Sequence, residues 1–487
     1  FKVQRLLYYQ VSRLGGKFAT GDVNNDGNDD VYFGGAVGQS GVLFLGQNDG
    51  SFVRAPSQPW ALDSLSEDAN ALFFDADTDG DQDLYVVSGG SEFVATAPMY
   101  QDRLYLNNGR GIFARSINAL PAETSSGSQV SSSDYDRDGD LDLFIGGRLT
   151  PGDYGLIPRS FILRNDSGPQ GVRFTDVTVD HDHALTAPGM VTCAVWSDYN
   201  NDTWPDLILA GEWMPIRVFE NENGKLRERT DISALNNSEG WWCSIYPADI
   251  DGDGDTDYLL GNAGTNMQFK ASVEMPVELF AGDFNADGVV DPVVNYYIQG
   301  KSFPLATRDE LLDQISSLKK KFVRYEDYAS ATMEHIATAD QIEKAQHLKA
   351  HILTSSWLEN ADGNEFRLHA LPDLAQISTI NAFVFDDMTG DGDKEIIAAG
   401  NFYPFKPQLG RSDASTGVML RYDKGLKADS SVLSKLWLTG DIRHMDMLHF
   451  KSGIKRILVS RNNDRPGVYE IPNSAAKRVV AVEATKE

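Results

Sequence analysis

Cysteine is nearly missing from this sequence. Two occur in 487 residues, Cys193 and Cys243, which excludes a disulfide scaffold and leaves one bond or two free buried thiols. No run approaches ~18 consecutive apolar residues, so no membrane-spanning helix is expected. Basic residues are scarce as well: 43 Lys and Arg stand against 71 Asp and Glu, a net charge of −28. That balance argues against nucleic acid, whose phosphates need Lys and Arg, and against an anionic lipid surface. No GxSxG, HExxH or P-loop pattern occurs, and the Gly-rich stretch GGAVGQSG (34–41) has no helix after it to cradle a phosphate. The first residue is Phe1 and no signal peptide is readable, so a processed or partial chain is expected.

What is present is a large apolar fraction, 41%, together with 44 glycines that cluster with the acid. The apolar fraction supports a folded core rather than a disordered acidic tail. The clusters are a repeat, Asp-x-Asp/Asn-x-Asp-Gly-x-x-Asp, with apolar stretches on both sides. Seven copies occur. The first three are Asp22, Asn24, Asp26 and Asp30; Asp75, Asp77, Asp79 and Asp83; and Asp134, Asp136, Asp138 and Asp142. The fourth is Asp198, Asn200, Asp202 and Asp206, with Thr203 where the others have Gly. Next come Asp249, Asp251, Asp253 and Asp257, then Asp283, Asn285, Asp287 and Asp291. The seventh is Asp387, Thr389, Asp391 and Glu395.

Oxygen side chains at positions 1, 3 and 5 of a tight loop converge on one hard cation, and Gly at position 6 permits the turn. The opening matches an EF-hand loop, but the bidentate Glu at position 12 is missing and a strand follows position 9. The expected cofactor is therefore Ca²⁺, in up to seven loops that each join two strands, with the position 9 carboxylate closing the site. The competing reading is a set of hairpin turns whose Asp side chains cap the backbone. The Thr203 and Thr389 loops are expected to be the weakest sites. Seven filled sites would halve the net charge of −28.

The loops start roughly 50–65 residues apart, with one short interval of about 34 and one long interval of about 104, against ~40–60 for a four-stranded propeller blade. The fold class predicted is all-β: a propeller of seven or eight blades, each acidic loop lying between the first and second strands. Hairpins at 41–55, 103–116, 160–178 and 216–230 supply the later strands. Residues 441–464 form an eighth start, with His449 near the first Asp position and no carboxylates in the turn, so no metal is expected there. The short interval implies either a truncated blade or two units sharing one.

The long interval holds a helical insertion. Thr307-Arg-Asp-Glu310 and Thr338-Ala-Asp-Gln341 are capping boxes. Helix is predicted through Phe322, over 325–336, and along Ile342, Ala345, Leu348 and Ile352. The domains read as propeller over 1–298, helical insertion over 299–352 and closing propeller over 353–487. Lys319, Lys320 and Lys321 mark the insertion as either a packed cap or a docking element.

The loops, with FGGA after the first, resemble the FG-GAP/VCBS repeats of integrin α-subunit propellers and bacterial surface proteins. GDVNNDGNDDVYFGGAVGQSG (21–41), GGRLTPGDYGLIPRSFILRND (146–166), GEWMP (211–215), EGWWCSI (239–245), FPLATRDELL (303–312) and RSDAST (411–416) are similar to cartilage-acidic-protein-like, ASPIC/UnbV-associated proteins of Bacteroidetes. That resemblance implies export and a lipoprotein anchor at the outer-membrane surface. It implies as partners other proteins or glycans, including an outer-membrane transporter complex to which the chain would be an accessory subunit.

The function expected is thus a calcium-binding surface interaction module with no catalysis. The alternative is a polysaccharide lyase on a propeller scaffold, with His181, His183, Arg148, Arg159, Tyr154 and Arg411 as candidates for base and carboxylate neutraliser. Trp213 with Trp241 and Trp242 would either form a binding platform or pack between blades.

Overall fold

The computed structural model describes residues 4–56, 58–361, 365–429, 437–470 and 481–482. It contains eight four-stranded antiparallel sheets, one of them extended by a short fifth strand. Seven form a closed ring. Their innermost strands are Phe18–Gly21, Glu67–Phe74, Ser126–Ser133, Met190–Ser197, Ser244–Ala248, Ile380–Asp386 and Ile442–His449. Each packs beside the next, and the last returns to the first. Closure is reinforced at the rim, where Asp29 N–H donates to the His449 carbonyl at 3.0 Å and Lys451 N–H to Asn28 at 3.1 Å.

The apolar runs after each loop are the second strands. Asp83–Gly89, Asp142–Leu149 and Asp206–Met214 are buried along their whole length, because both faces of a blade are covered by neighbouring blades. Alternation assigns the faces. Leu84 and Val86 pack with Tyr32 and Leu43 of the first blade. Tyr85 and Val87 pack with Leu143 and Ile145 of the third. The core is therefore a series of seams between blades.

The eighth sheet settles the blade count expected from the sequence. The fifth blade runs through Ser244–Ala248 and Asp257–Gly261, is interrupted, and resumes with Ser356–Ala361 and Glu365–Ala370. The intervening chain forms a sheet of Val277–Gly282, Asp291–Ile298, Lys301–Pro304 and Gln346–Ala350. Two units thus share one blade's stretch of sequence: the sixth acidic loop belongs to a sheet nested in the fifth blade, outside the ring. The nested sheet begins at Val277, and the helices fall within the expected 299–352.

The helices lie inside this sheet's last connection, as Arg308–Gln314, Tyr325–Tyr328, Met333–Ile336 and Ala339–Lys344. Both expected capping boxes form, at Thr307 and Thr338. The last helix ends sooner than its spacing predicts. Leu348 sits in strand Gln346–Ala350, paired with Leu279, and Ile352 lies beyond it. The open edge of Val277–Gly282 supplies backbone partners, and tertiary pairing overrides the helical spacing. Leu311, Leu312, Ile315 and Phe322 pack on Phe280, Phe284 and Val293 of the nested sheet.

Both cysteines are free. Among the described residues no helix is long and apolar enough to cross a membrane.

Candidate metal centres and the loops that build them

All seven acidic loops join the first and second strands of their sheets, as expected. They also share one backbone shape. Position 4 (Asn25, Thr78, Arg137, Asn201, Gly252, Ala286, Gly390) and position 6 (Gly27, Gly80, Gly139, Thr203, Gly254, Gly288, Gly392) all have positive φ. The shape persists at Thr203, with φ 76°, so the fourth loop keeps the turn despite lacking Gly and carries the strain of a β-branched residue there. In every loop the position 7 N–H donates to the position 5 carboxylate, from 2.7 Å at Trp204–Asp202 to 3.3 Å at Asp140–Asp138.

The side chains divide the loops into three kinds. The second, third and fifth have Asp at positions 1, 3, 5 and 9. In each, one oxygen from positions 1, 3 and 9 lies within 4.8 Å of the others: Asp75, Asp77 and Asp83; Asp134, Asp136 and Asp142; Asp249, Asp251 and Asp257. Asp75 Oδ1, Asp134 Oδ1 and Asp142 Oδ2 are buried without a hydrogen-bond partner, as are Asp81 Oδ1 and Asp140 Oδ1 at position 7. Burial first, and neighbouring carboxylates among the other causes, push Asp83 and Asp257 up to about 7 and Asp142 to about 8. Asp81 and Asp140 rise to about 6 for the same reasons. A hard divalent cation answers each of these features with oxygen coordination and opposite charge.

The first, fourth and sixth loops carry Asn at position 3. Asn200 and Asn285 turn their amide N–H groups onto the position 5 carboxylates, at 3.1 and 3.0 Å. Each of these loops offers one charge fewer. The seventh loop brings its own cation. Arg421, from the third strand of the sixth blade, lies 3.1 Å from Asp391 and 2.7 Å from Glu395, and donates to Thr389 at 3.2 Å.

Position 9 has a second duty. Asp30, Asp83, Asp142, Asp206 and Asp257 are buried, and each accepts a backbone N–H at the end of its own blade's third strand. The donors are Gly46, Asn107, Asn165, Asn221 and Asn360, at 2.7–2.8 Å. The four asparagines then reach the preceding blade. Their side-chain amides donate to the position 2 carbonyls of Val23, Ala76, Tyr135 and Tyr199, at 2.7, 3.1, 2.8 and 2.7 Å. This clasp ties four of the acidic loops to their own blades and to the loop of the preceding blade. Sequence reasoning missed it. Its signal is the Asn in LNNG, LRND, FENENG and LENADG, the first three of which lie in stretches read as hairpins. In the nested sheet, Gln314 takes the role through Asp291, at 2.8 Å.

Five of the six residues considered for catalysis have structural partners. Arg148 pairs with buried Glu212 at 2.7 Å, and Tyr154 accepts the Trp213 indole N–H at 3.0 Å. His181 is buried, and its Nδ1 accepts Leu226 N–H at 3.2 Å. Arg159 pairs with Asp176, and Arg411 stacks on Tyr403. His183 is exposed within the short helical turn His183–Thr186. Trp213, Trp241 and Trp242 are buried. The first two pack with Tyr8, Tyr9 and Leu279 where the nested sheet meets the ring, so they form a seam and not an open platform.

Ring and sheets together define the class as an all-β propeller. Residues 22–86, 89–145 and 198–260 match the FG-GAP-like repeat. No curated protein matches the chain. Among solved structures, Saccharomyces cerevisiae Sqt1 is similar at 10% identity and a TM-score of 0.44, covering 96% of this chain and 100% of that one. BBS1N in its complex with ARL6DN is similar at 10% identity and a TM-score of 0.39, covering 97% and 96%. The extracellular domain of the hybrid two-component system BT3049 of B. thetaiotaomicron is similar at 11% and 0.39, covering 93% of this chain and 39% of that one. At these values the likenesses carry no argument about function.

Proposed function

We propose that this protein is a calcium-stabilised interaction module of the cell surface that acts by binding and not by catalysis. The observation that carries the calcium reading is the set of all-Asp loops, two of which hold buried carboxylate oxygens without partners. Asp75, Asp77, Asp79 and Asp83, and their counterparts in the third and fifth loops, would hold the ion. It would supply charge neutralisation and loop closure. The Asn-bearing loops would bind more weakly, and Arg421 would replace the ion in the seventh.

Display at an outer-membrane surface, with a lipid anchor in the full-length protein, is the setting proposed for the module. Its partner there would be a protein or glycan, within a transporter complex. The helical insert offers the docking element. Lys319, Lys320, Lys321 and Arg324 are exposed beside exposed Val323 and Tyr325, a basic tip on an acidic protein that suits an acidic partner surface.

The test is capture from outer-membrane extract by the calcium-loaded chain, compared with the K319E/K320E/K321E variant. Loss of the captured partner with an unchanged melting temperature supports docking through the insert. Equal capture by both proteins overturns it.

A further inference from the structure

The propeller axis holds a cavity of about 260 Å³ to which all seven inner strands contribute. It adjoins a vestibule of about 120 Å³ that reaches solvent beside exposed Gly15. The inner strands are bulged where they line this vestibule. The pairing registers skip Ala69, Ser128, Thr192, Asn381 and Arg443, one residue in each of five blades. A bulge re-aims its side chain, and here all five residues line the vestibule.

Lys17 lines both spaces. Its ammonium donates to the Gln129 side-chain oxygen at 2.9 Å and to the Thr192 carbonyl at 3.4 Å. Both acceptors are neutral, and Lys17 has no ion pair among the described residues. Gln129 is itself held in place, since its oxygen also accepts the Asn70 amide at 3.0 Å. Around Lys17, three nitrogens are buried without partners: Arg443 Nε, Arg148 Nη1 and His444 Nδ1.

The acids near the axis leave Lys17 without an ion pair among the described residues. Glu212 serves Arg148, and Asp441 serves Arg443 at 2.9 Å. Glu67, in the vestibule, is pushed up to about 8 by burial and by Glu92. Asp446 accepts the Thr20 hydroxyl, and burial raises its carboxyl too. Burial lowers Lys17, the direction expected of an ammonium withdrawn from water without a counter-charge.

We propose that the axial cavity is a binding site for a small oxyanion, a carboxylate or an inorganic anion, held against the Lys17 ammonium. The cavity admits an anion of a few heavy atoms; Lys17 and His444 line it, and Arg148 and Arg443 line the adjoining vestibule. Charge-assisted hydrogen bonds of this kind are the strong ones. The site is independent of the calcium loops and of the helical insert, so its failure leaves the proposed function standing.

The experiment is isothermal titration of the calcium-loaded full chain with sulfate and with succinate, with chloride held constant. Saturable one-to-one binding is expected. Lys17→Met should weaken it roughly tenfold or more, while Lys17→Arg retains it. If K17M does not fold, the wild-type stoichiometry and the K17R affinity still decide. Absence of saturable binding overturns the proposal, as does binding that K17M leaves unchanged. An iodide soak showing no anomalous peak next to Lys17 would do the same.

Discussion

Asn360 N–H donates to the Asp257 carboxylate at 2.8 Å, across a separation of 103 residues. Asp257 closes the fifth loop, and Asn360 lies on the strand that resumes the blade after the nested sheet. One hydrogen bond therefore spans the insertion and restores the pattern found in the second, third and fourth blades. The insertion is tolerated because the entropy of closing a loop grows slowly with its length.

The all-Asp loops should make stability depend on calcium. Excess chelator is expected to lower the melting temperature by many degrees, since ligand at a thousandfold excess over Kd contributes about 4 kcal/mol per site. Calorimetric titration of the stripped protein should resolve three tight sites. Asp134→Ala should remove one of them. An unchanged melting curve in chelator would refute structural calcium.

Arg421→Gln should convert the seventh loop. Without calcium the variant should be less stable, because buried Glu395 loses its cationic partner. With calcium it should gain one binding equivalent. An unchanged stoichiometry would show that the arginine does not stand in for an ion.

The clasp can be tested without metal. Asn221→Ala removes the side-chain donor to Tyr135 and to Pro205, at 2.8 and 3.0 Å, while leaving every loop carboxylate in place. Urea unfolding in chelator should show a loss of about 1–3 kcal/mol. A variant as stable as the parent under those conditions would remove the clasp from the account.

His181 predicts an acid-side slope. Burial holds the ring down to about 4, against about 6.5 in an unfolded chain. The unfolded state thus binds the proton first, and stability is lost as pH falls from about 6.5 to about 4. The full effect is at most about 3 kcal/mol. His181→Gln keeps an acceptor for Leu226 N–H and does not titrate, so its stability profile should be flatter. Parallel profiles for the two proteins would contradict this origin.

Much of the fold was legible because its signals are local. A loop with Asp at alternate positions and Gly at position 6, followed by an apolar run, carries its turn and its second strand within about 15 residues. The capping boxes at Thr307 and Thr338 are local too, and both form. Leu348 was misread because a helical spacing of apolar residues says nothing about an open strand edge waiting 70 residues away. The roles of Arg421 and of the clasp asparagines were not readable for a similar reason: each acts on a loop outside its own local segment.

The sequence by itself determined the repeat, the loop conformation and the all-β class, since each depends on φ preferences and alternation within a short window. It also determined where carboxylates concentrate. Only the tertiary structure decided that seven sheets close the ring while the eighth is nested in the fifth blade. It also decided that Arg421 enters the seventh loop and that Lys17 lines an axial cavity with no ion pair among the described residues. These depend on which strand edges meet and which charges are buried together, and both are properties of the closed ring.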